Sequence, residues 1–252
     1  MLLTVLGCSG SVPVPESPAS GYLLRAEDTS IVLDLGNGAF GALQRYLDPF
    51  TLGGLVLSHL HPDHCADVSA LTVYRRYHAH PLPHDVLPLY GPLDAAERLA
   101  AAYAPNAEER KATDLSDVYD FRCYCEATRI GPFELRAAPV EHLCETYALR
   151  VSHAGRVLVF SGDTGPCRQL VELASGADVL LAESSWPDHP SNPPGVHLSG
   201  KDAGEAATAA GVSRLLITHV PPWTDPERVL AEAKAAFNGP TELVLPGSHY
   251  TI

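Results

Sequence analysis

Short apolar runs of four to six residues, closed by Gly, Pro or polar residues, recur along the 252-residue chain. At 2–6 (LLTVL), 22–25, 30–35 (SIVLDL), 54–57, 86–90, 133–138, 146–151, 156–160, 178–182, 214–218 and 242–245 their length and β-branched content predict strands. Between them, Ala- and Leu-rich stretches with 3.6-residue spacing predict helices at 37–47, 65–78, 93–103, 166–174, 201–210 and 226–237. Pro62 falls where a first helical turn tolerates a missing N–H, and Asp225-Pro226 reads as an N-cap followed by Pro at the first helical position. The most polar stretch, 104–118, predicts a surface helix or loop. Strands crowd the first half and alternate with helices in the second. The pattern predicts an α/β fold in which two mixed sheets pack together with helices outside, a four-layer αβ/βα sandwich forming one domain over residues 1–252.

Composition narrows the function. No run of 18 apolar residues supports a membrane span, and the first residues read as a strand, not a signal peptide. The formal charge of −13 comes without a basic stripe, so a long nucleic acid is not the expected partner; a small anionic substrate is, because bound cations reverse the local field. The cysteines (Cys8, Cys65, Cys123, Cys125, Cys144 and Cys167) form no CxxC pair and read as reduced, mostly structural thiols of a cytoplasmic protein, with Cys123-Tyr124-Cys125 alternating as on a strand.

The chemistry begins at SHLHPDH, residues 58–64, directly after an apolar run. Each later strand is also followed by an acid or imidazole: Glu141 and His142 after 133–140, Asp163 after 156–160, Glu183 after 178–182 and His219 after 214–218. Strand C-terminal ends are where α/β folds gather their functional loops. A helix starting inside the His-rich run would turn His59 and His61 one way and Asp63 and His64 the other. His142 would complete the first half-site and His219 the second, with Asp163 bridging. Imidazole and carboxylate ligands suit two divalent cations, zinc foremost and manganese next, sharing a water whose pKa they lower to give the attacking hydroxide.

These residues resemble the metallo-β-lactamase superfamily, and the run HxHxDH with a further histidine, His197 in GVHLSGKDAGEAA, is most similar to its ribonuclease Z branch. Within it, LGCSGSV, SPASGYLLR, LVLSHLHPDHC, FSGDTG and THVPPWT resemble actinobacterial cyclic-nucleotide phosphodiesterases. The resemblance implies hydrolysis of cyclic nucleotides, cyclic AMP foremost. It implies His197 as general acid for the 3′-alkoxide, Glu183 as holder of that imidazole, Asp63 as ligand and proton acceptor, and Asp34 as a brace for the His-rich loop. A homodimer follows by analogy with ribonuclease Z. Departures from ribonuclease Z are the absence of a basic tRNA-holding insert and the loop VPVPESPAS near the N-terminus; His249 has no assigned role beyond packing. Trp186 and Trp223, on loops leaving ligand strands, are candidates for stacking on a purine. Arg76 is a candidate phosphate contact, although an exposed helix face would explain both it and Arg75. Other readings are a phosphodiesterase for another small cyclic phosphate or short nucleotide, and a non-catalytic metal-binding carrier.

Overall fold

The computed structural model describes residues 1–79, 86–124 and 128–252; Cys125 lies outside them. The first seven-stranded sheet contains β1 (Leu2–Gly7), β2 (Gly21–Ala26), β3 (Thr29–Leu35), β4 (Gly54–Val56), β5 (Leu87–Gly91) and β6 (Tyr119–Cys123) in that order. The second contains β7 (Thr128–Ile130), β8 (Phe133–Pro139), β9 (Tyr147–His153), β10 (Arg156–Phe160), β11 (Val179–Glu183), β12 (Arg214–Thr218) and β13 (Thr241–Leu243), also in order. The last strand, β14 (His249–Thr251), returns to the first sheet beside β1. Both sheets follow one plan, an antiparallel meander that switches to parallel pairing, at β3/β4 in one and β10/β11 in the other.

Period-2 alternation divides each strand between two cores. In β3, Ile31 and Leu33 face the other sheet, where they join Phe160 and Leu181, whereas Val32 and Leu35 face outward. Outside the first sheet lie α1 (Ala39–Leu43), α2 (Pro62–Cys65), α3 (Val68–Tyr77) and α4 (Ala95–Tyr103); outside the second lie α5 (Arg168–Ala174), α6 (Gly200–Ala210) and α7 (Pro226–Ala236). The result is the expected αβ/βα sandwich. As the sequence indicates, α7 starts at Asp225, whose carboxylate accepts from the Glu227 N–H, with Pro226 next. Ser199 and Asp202 cap α6 reciprocally. The helix expected at 65–78 is split: α2 ends at its C-cap Ala66, and α3 starts from Asp67, whose carboxylate accepts from the Phe40 N–H. Among the described residues no helix is long and apolar enough to cross a membrane.

One expectation about α3 is corrected, and a second residue there is seen to be engaged within the protein. Arg75, expected on an exposed face, is 3% exposed: its guanidinium donates to the Pro49 carbonyl and lies 5.5 Å from the Phe50 ring centre. Arg76, a candidate phosphate contact, is committed elsewhere: it donates to both carboxylate oxygens of Asp117 and to the Asp114 carbonyl, and stacks over Tyr103. His249 packs edge-on against Tyr46 and bonds the Thr4 hydroxyl at 2.9 Å, which accounts for it structurally.

Candidate metal centre

The strands β4, β8, β10, β11 and β12 end at one edge of the sandwich, and the predicted side chains that follow them meet there. After β4, Ser58-His59 leads into His61, the N-cap of α2, and Pro62 starts the helix. That start turns Asp63 and His64 away from His59 and His61. His59 Nε2 lies 3.0 Å from His61 Nδ1, which lies 3.2 Å from His142 Nε2. On the other side His64 Nε2 lies 3.2 Å from His219 Nε2, which is 3.1 Å from Asp63 Oδ2. Asp163 stands between, with Oδ1 3.2 Å from His64 Nε2 and Oδ2 3.8 Å from His59 Nε2. Two groups of ligand atoms thus converge, His59/His61/His142/Asp163 and Asp63/His64/Asp163/His219, each set within 4.8 Å.

Backbone geometry serves this convergence. Asp34 (φ 56°), His219 (φ 54°) and Ser11 (φ 62°) occupy left-handed conformations uncommon outside glycine, though Asp and His adopt them more readily than most. Strain of this kind, about 1–3 kcal/mol each, persists where the surroundings over-determine it. At Ser11 it presents the backbone N–H to Asp63 Oδ2 at 2.9 Å. A Cβ on Gly36 would sit 1.8 Å from the Asp63 carbonyl, and one on Gly10 2.5 Å from that of His219, so two loops reach the centre only as glycine.

The donor set fits cations. Asp34, Asp163 and Glu183 are essentially buried and Asp63 nearly so, and every ion pair found for them is to histidine. Asp163 Oδ1 is buried without a hydrogen-bond donor. Neighbouring imidazole nitrogens at 3.0–3.2 Å face one another as lone pairs around a shared positive centre would. Burial pushes His59, His61 and His142 down, towards the neutral form that ligates. Burial opposes ionisation of Asp63 and Asp163, but His219 and His64 outweigh it and hold both below the usual carboxylate range. Burial likewise opposes charge on His64, but Asp163 and Asp34 outweigh it and draw positive charge to that ring.

Asp34 organises the second group. Its Oδ1 accepts from the Ser58 N–H at 2.6 Å, and its Oδ2 accepts from the Ser58 hydroxyl and from His64 Nδ1–H, each at 2.7 Å. Beside the centre, His197 Nδ1–H donates to Glu183 Oε1 at 2.8 Å, and Glu183 also accepts from the Thr164 N–H and the Ser185 hydroxyl. Burial would lower the His197 pKa; the bond to Glu183 and the charges of Glu183 and Asp163 more than offset it and raise it. Trp186 packs edge-on against His197, ring centres 5.1 Å apart, whereas Trp223 is 70% exposed. Sequence reading missed Ser11, Ser58 and Ser185. Only Ser58, adjoining His59, carried a positional signal.

A sandwich of two mixed sheets with these histidine and aspartate clusters at one edge defines a metallo-hydrolase of the metallo-β-lactamase fold. The chain belongs to the beta-lactamase superfamily: the model of the beta-lactamase superfamily domain matches residues 29–220. It falls in the ribonuclease Z-like branch, being 30% identical to ribonuclease Z of Mycobacterium bovis over 271 aligned positions, which cover 96% of this chain and 94% of that one. It is 51% identical to the uncharacterized protein ML1173 of Mycobacterium leprae, covering 99% of this chain and 88% of that one. The crystal structure of the metallo-β-lactamase fold protein YhfI from Bacillus subtilis superposes with a TM-score of 0.85 at 26% identity, covering 99% of each chain.

Proposed function

We propose that the protein is a metal-dependent phosphodiesterase acting on small cyclic nucleotides, with cyclic AMP the favoured substrate. The observation that carries the reading is the His197–Glu183 pair beside two groups of candidate cation ligands. A thioester or lactam needs no such acid as much as a phosphodiester does, because a ribose alkoxide leaves only with a proton. The name of the ribonuclease Z relative supports phosphodiester chemistry. The charge of −13 favours a small substrate over a long nucleic acid.

In this reading His59, His61, His142 and Asp163 would hold one divalent cation, and Asp63, His64, His219 and the same Asp163 would hold the other, zinc foremost. When bound, the pair supplies Lewis acidity at the phosphoryl oxygens and water activated near neutral pH. Asp34 keeps His64 in the tautomer whose Nε2 is free, and Ser58 does the same for His59. Asp63 accepts the proton released by the attacking water. His197 donates from Nε2 to the leaving oxygen, worth about 10²–10⁴-fold in rate, while Glu183 holds Nδ1–H. Trp223, with a free indole face, is the base-stacking candidate; Trp186 acts through the His197 ring it packs against.

The test is an assay of the purified protein, with metal content measured, across cyclic AMP, cyclic GMP, 2′,3′-cyclic nucleotides, bis(p-nitrophenyl) phosphate and short RNA. Chelator should abolish turnover, and zinc or manganese restore it. Fastest turnover on RNA would replace the cyclic-nucleotide reading with a ribonuclease one. Two bound cations with no hydrolysis of any diester would make the protein a carrier.

A further inference from the structure

Each of the five imidazoles in the two candidate ligand groups has one nitrogen turned inward and one outward. A ligating histidine needs its outward N–H held by an acceptor, which fixes the ring and keeps the inward lone pair free. For four rings that acceptor is oxygen. His64 donates to Asp34 at 2.7 Å and His142 to the Val196 carbonyl at 2.7 Å. The Ser58 hydroxyl lies 3.0 Å from His59 Nδ1 and the Ser185 hydroxyl 3.2 Å from His219 Nδ1. Both serines give their own proton to a carboxylate, Asp34 or Glu183, so both accept from the ring.

The fifth ring, His61, is reversed. Its Nδ1 faces His59 and His142, and its Nε2 points outward to Cys144 Sγ at 3.9 Å. The thiol's polarity is set by Thr146. The Thr146 hydroxyl donates to the Cys144 carbonyl at 3.0 Å, so it is an acceptor for the thiol, 3.7 Å away. With S–H directed to Thr146, the sulfur's lone pairs are left for His61 Nε2–H. Thr146 is buried and Cys144 exposed, so the anchor is fixed from the protein side while the thiol meets solvent.

We propose that Cys144 is the positioning residue for His61, holding it as the Nε2–H tautomer so that Nδ1 is presented to the cation of the His59/His61/His142 group. The proposal rests on the metal-centre reading, and it makes that group the more weakly braced of the two, since sulfur is the poorest of the five acceptors.

The test uses the full chain. Cation titration of wild type and Cys144→Ala against a chromophoric chelator should show one of two affinities falling about tenfold, the low end for loss of a partner that orients a ligand, with the other within twofold. Cys144→Ser, which keeps an acceptor, should recover most of the loss. Cys123→Ala, at the other exposed thiol among the described residues, should change neither. Long-range proton–nitrogen spectra of the rings should show His61 as Nε2–H in wild type and as a tautomer mixture in Cys144→Ala. Unchanged affinities, or an equal fall in both, overturn the proposal and leave the metal centre standing. Should the wild type bind no cation, the centre fails, and the spectra alone decide Cys144: a His61 tautomer indifferent to the substitution overturns its role.

Discussion

Replacing Asp34 by Asn removes one charge and turns one acceptor into a donor, with almost no change in volume. The backbone is not a confounder, because Asn tolerates the left-handed conformation found there (φ 56°). The amide oxygen can go on accepting the Ser58 N–H, but the amide NH₂ then faces the Ser58 hydroxyl and His64 Nδ1–H, which both donate to Asp34 in the native protein. Ser58 relieves its clash by turning its own proton away, so its oxygen must be shared between the new amide and His59 Nδ1–H, which weakens its hold on that ring. His64 relieves its clash by carrying its proton on Nε2, the nitrogen facing His219 and Asp163. That removes the lone pair a cation would use. Loss of such a partner typically costs 10–100-fold in metal affinity, about 1.4–2.7 kcal/mol. With cation in excess this becomes lost stability of the same size, about 3–10 °C in Tm for a chain of this length. The assays are metal content after gel filtration, chelator competition, and thermal unfolding with and without chelator. Wild-type affinity for both cations in Asp34→Asn would refute the reasoning, and so would a Tm gap that chelator leaves unchanged, since the bond network would then be bracing the fold and not the ligands.

His197→Ala should slow cyclic AMP hydrolysis by about 10²–10⁴-fold yet spare bis(p-nitrophenyl) phosphate, whose leaving group needs no proton; equal losses would remove the general-acid role. Because the bond to Glu183 and the charges of Glu183 and Asp163 outweigh burial and raise the His197 pKa, cyclic AMP turnover should fall as pH rises through that raised value, a limb missing from the p-nitrophenyl profile. Trp223→Ala should raise KM for cyclic AMP by roughly fivefold, the low end of base–aromatic stacking, and leave a base-free diester alone; equal changes would exclude stacking. Arg76→Ala should leave kcat/KM unchanged and cost under about 1 kcal/mol of stability, as for a partly exposed ion pair; a rise in KM would restore Arg76 as a phosphate contact.

The strands that the sequence hid follow one physical rule. The eleven strands read from apolar runs correspond to β1–β5 and β8–β13, whereas β7 and β14 were not read and β6 was read only at its last residue, Cys123. All three are sheet edges. An edge strand has only one neighbour and is managed with polar side chains and short length, which erases the apolar run. β6, Tyr119–Cys123, is only partly buried, and β14 buries Tyr250 alone of its three residues. The interrupted helix after His64 has a different cause: Asp67 reads as an ordinary helical residue until Phe40, distant in sequence, supplies the N–H that its carboxylate accepts.

The candidate ligands were legible because chemistry restricts them to a few residue types at strand ends, and because α2 must begin inside the His-rich run to divide it. Of their supports, Asp34 and Glu183 were anticipated through the family resemblance, but the serine and thiol contacts were not, because support is a matter of which atom faces outward. Ser58, Ser185 and Cys144 are common residue types whose function depends on a single ring nitrogen, and nothing in their spacing marks it. The same logic separates Arg76 from His197. Both are basic side chains near the described motifs, but Arg76 has spent its donors on Asp117, whereas His197 has spent only Nδ1, on Glu183, and keeps its other nitrogen for an incoming group. A residue's type says what it can donate; only its partners say what it has left to give.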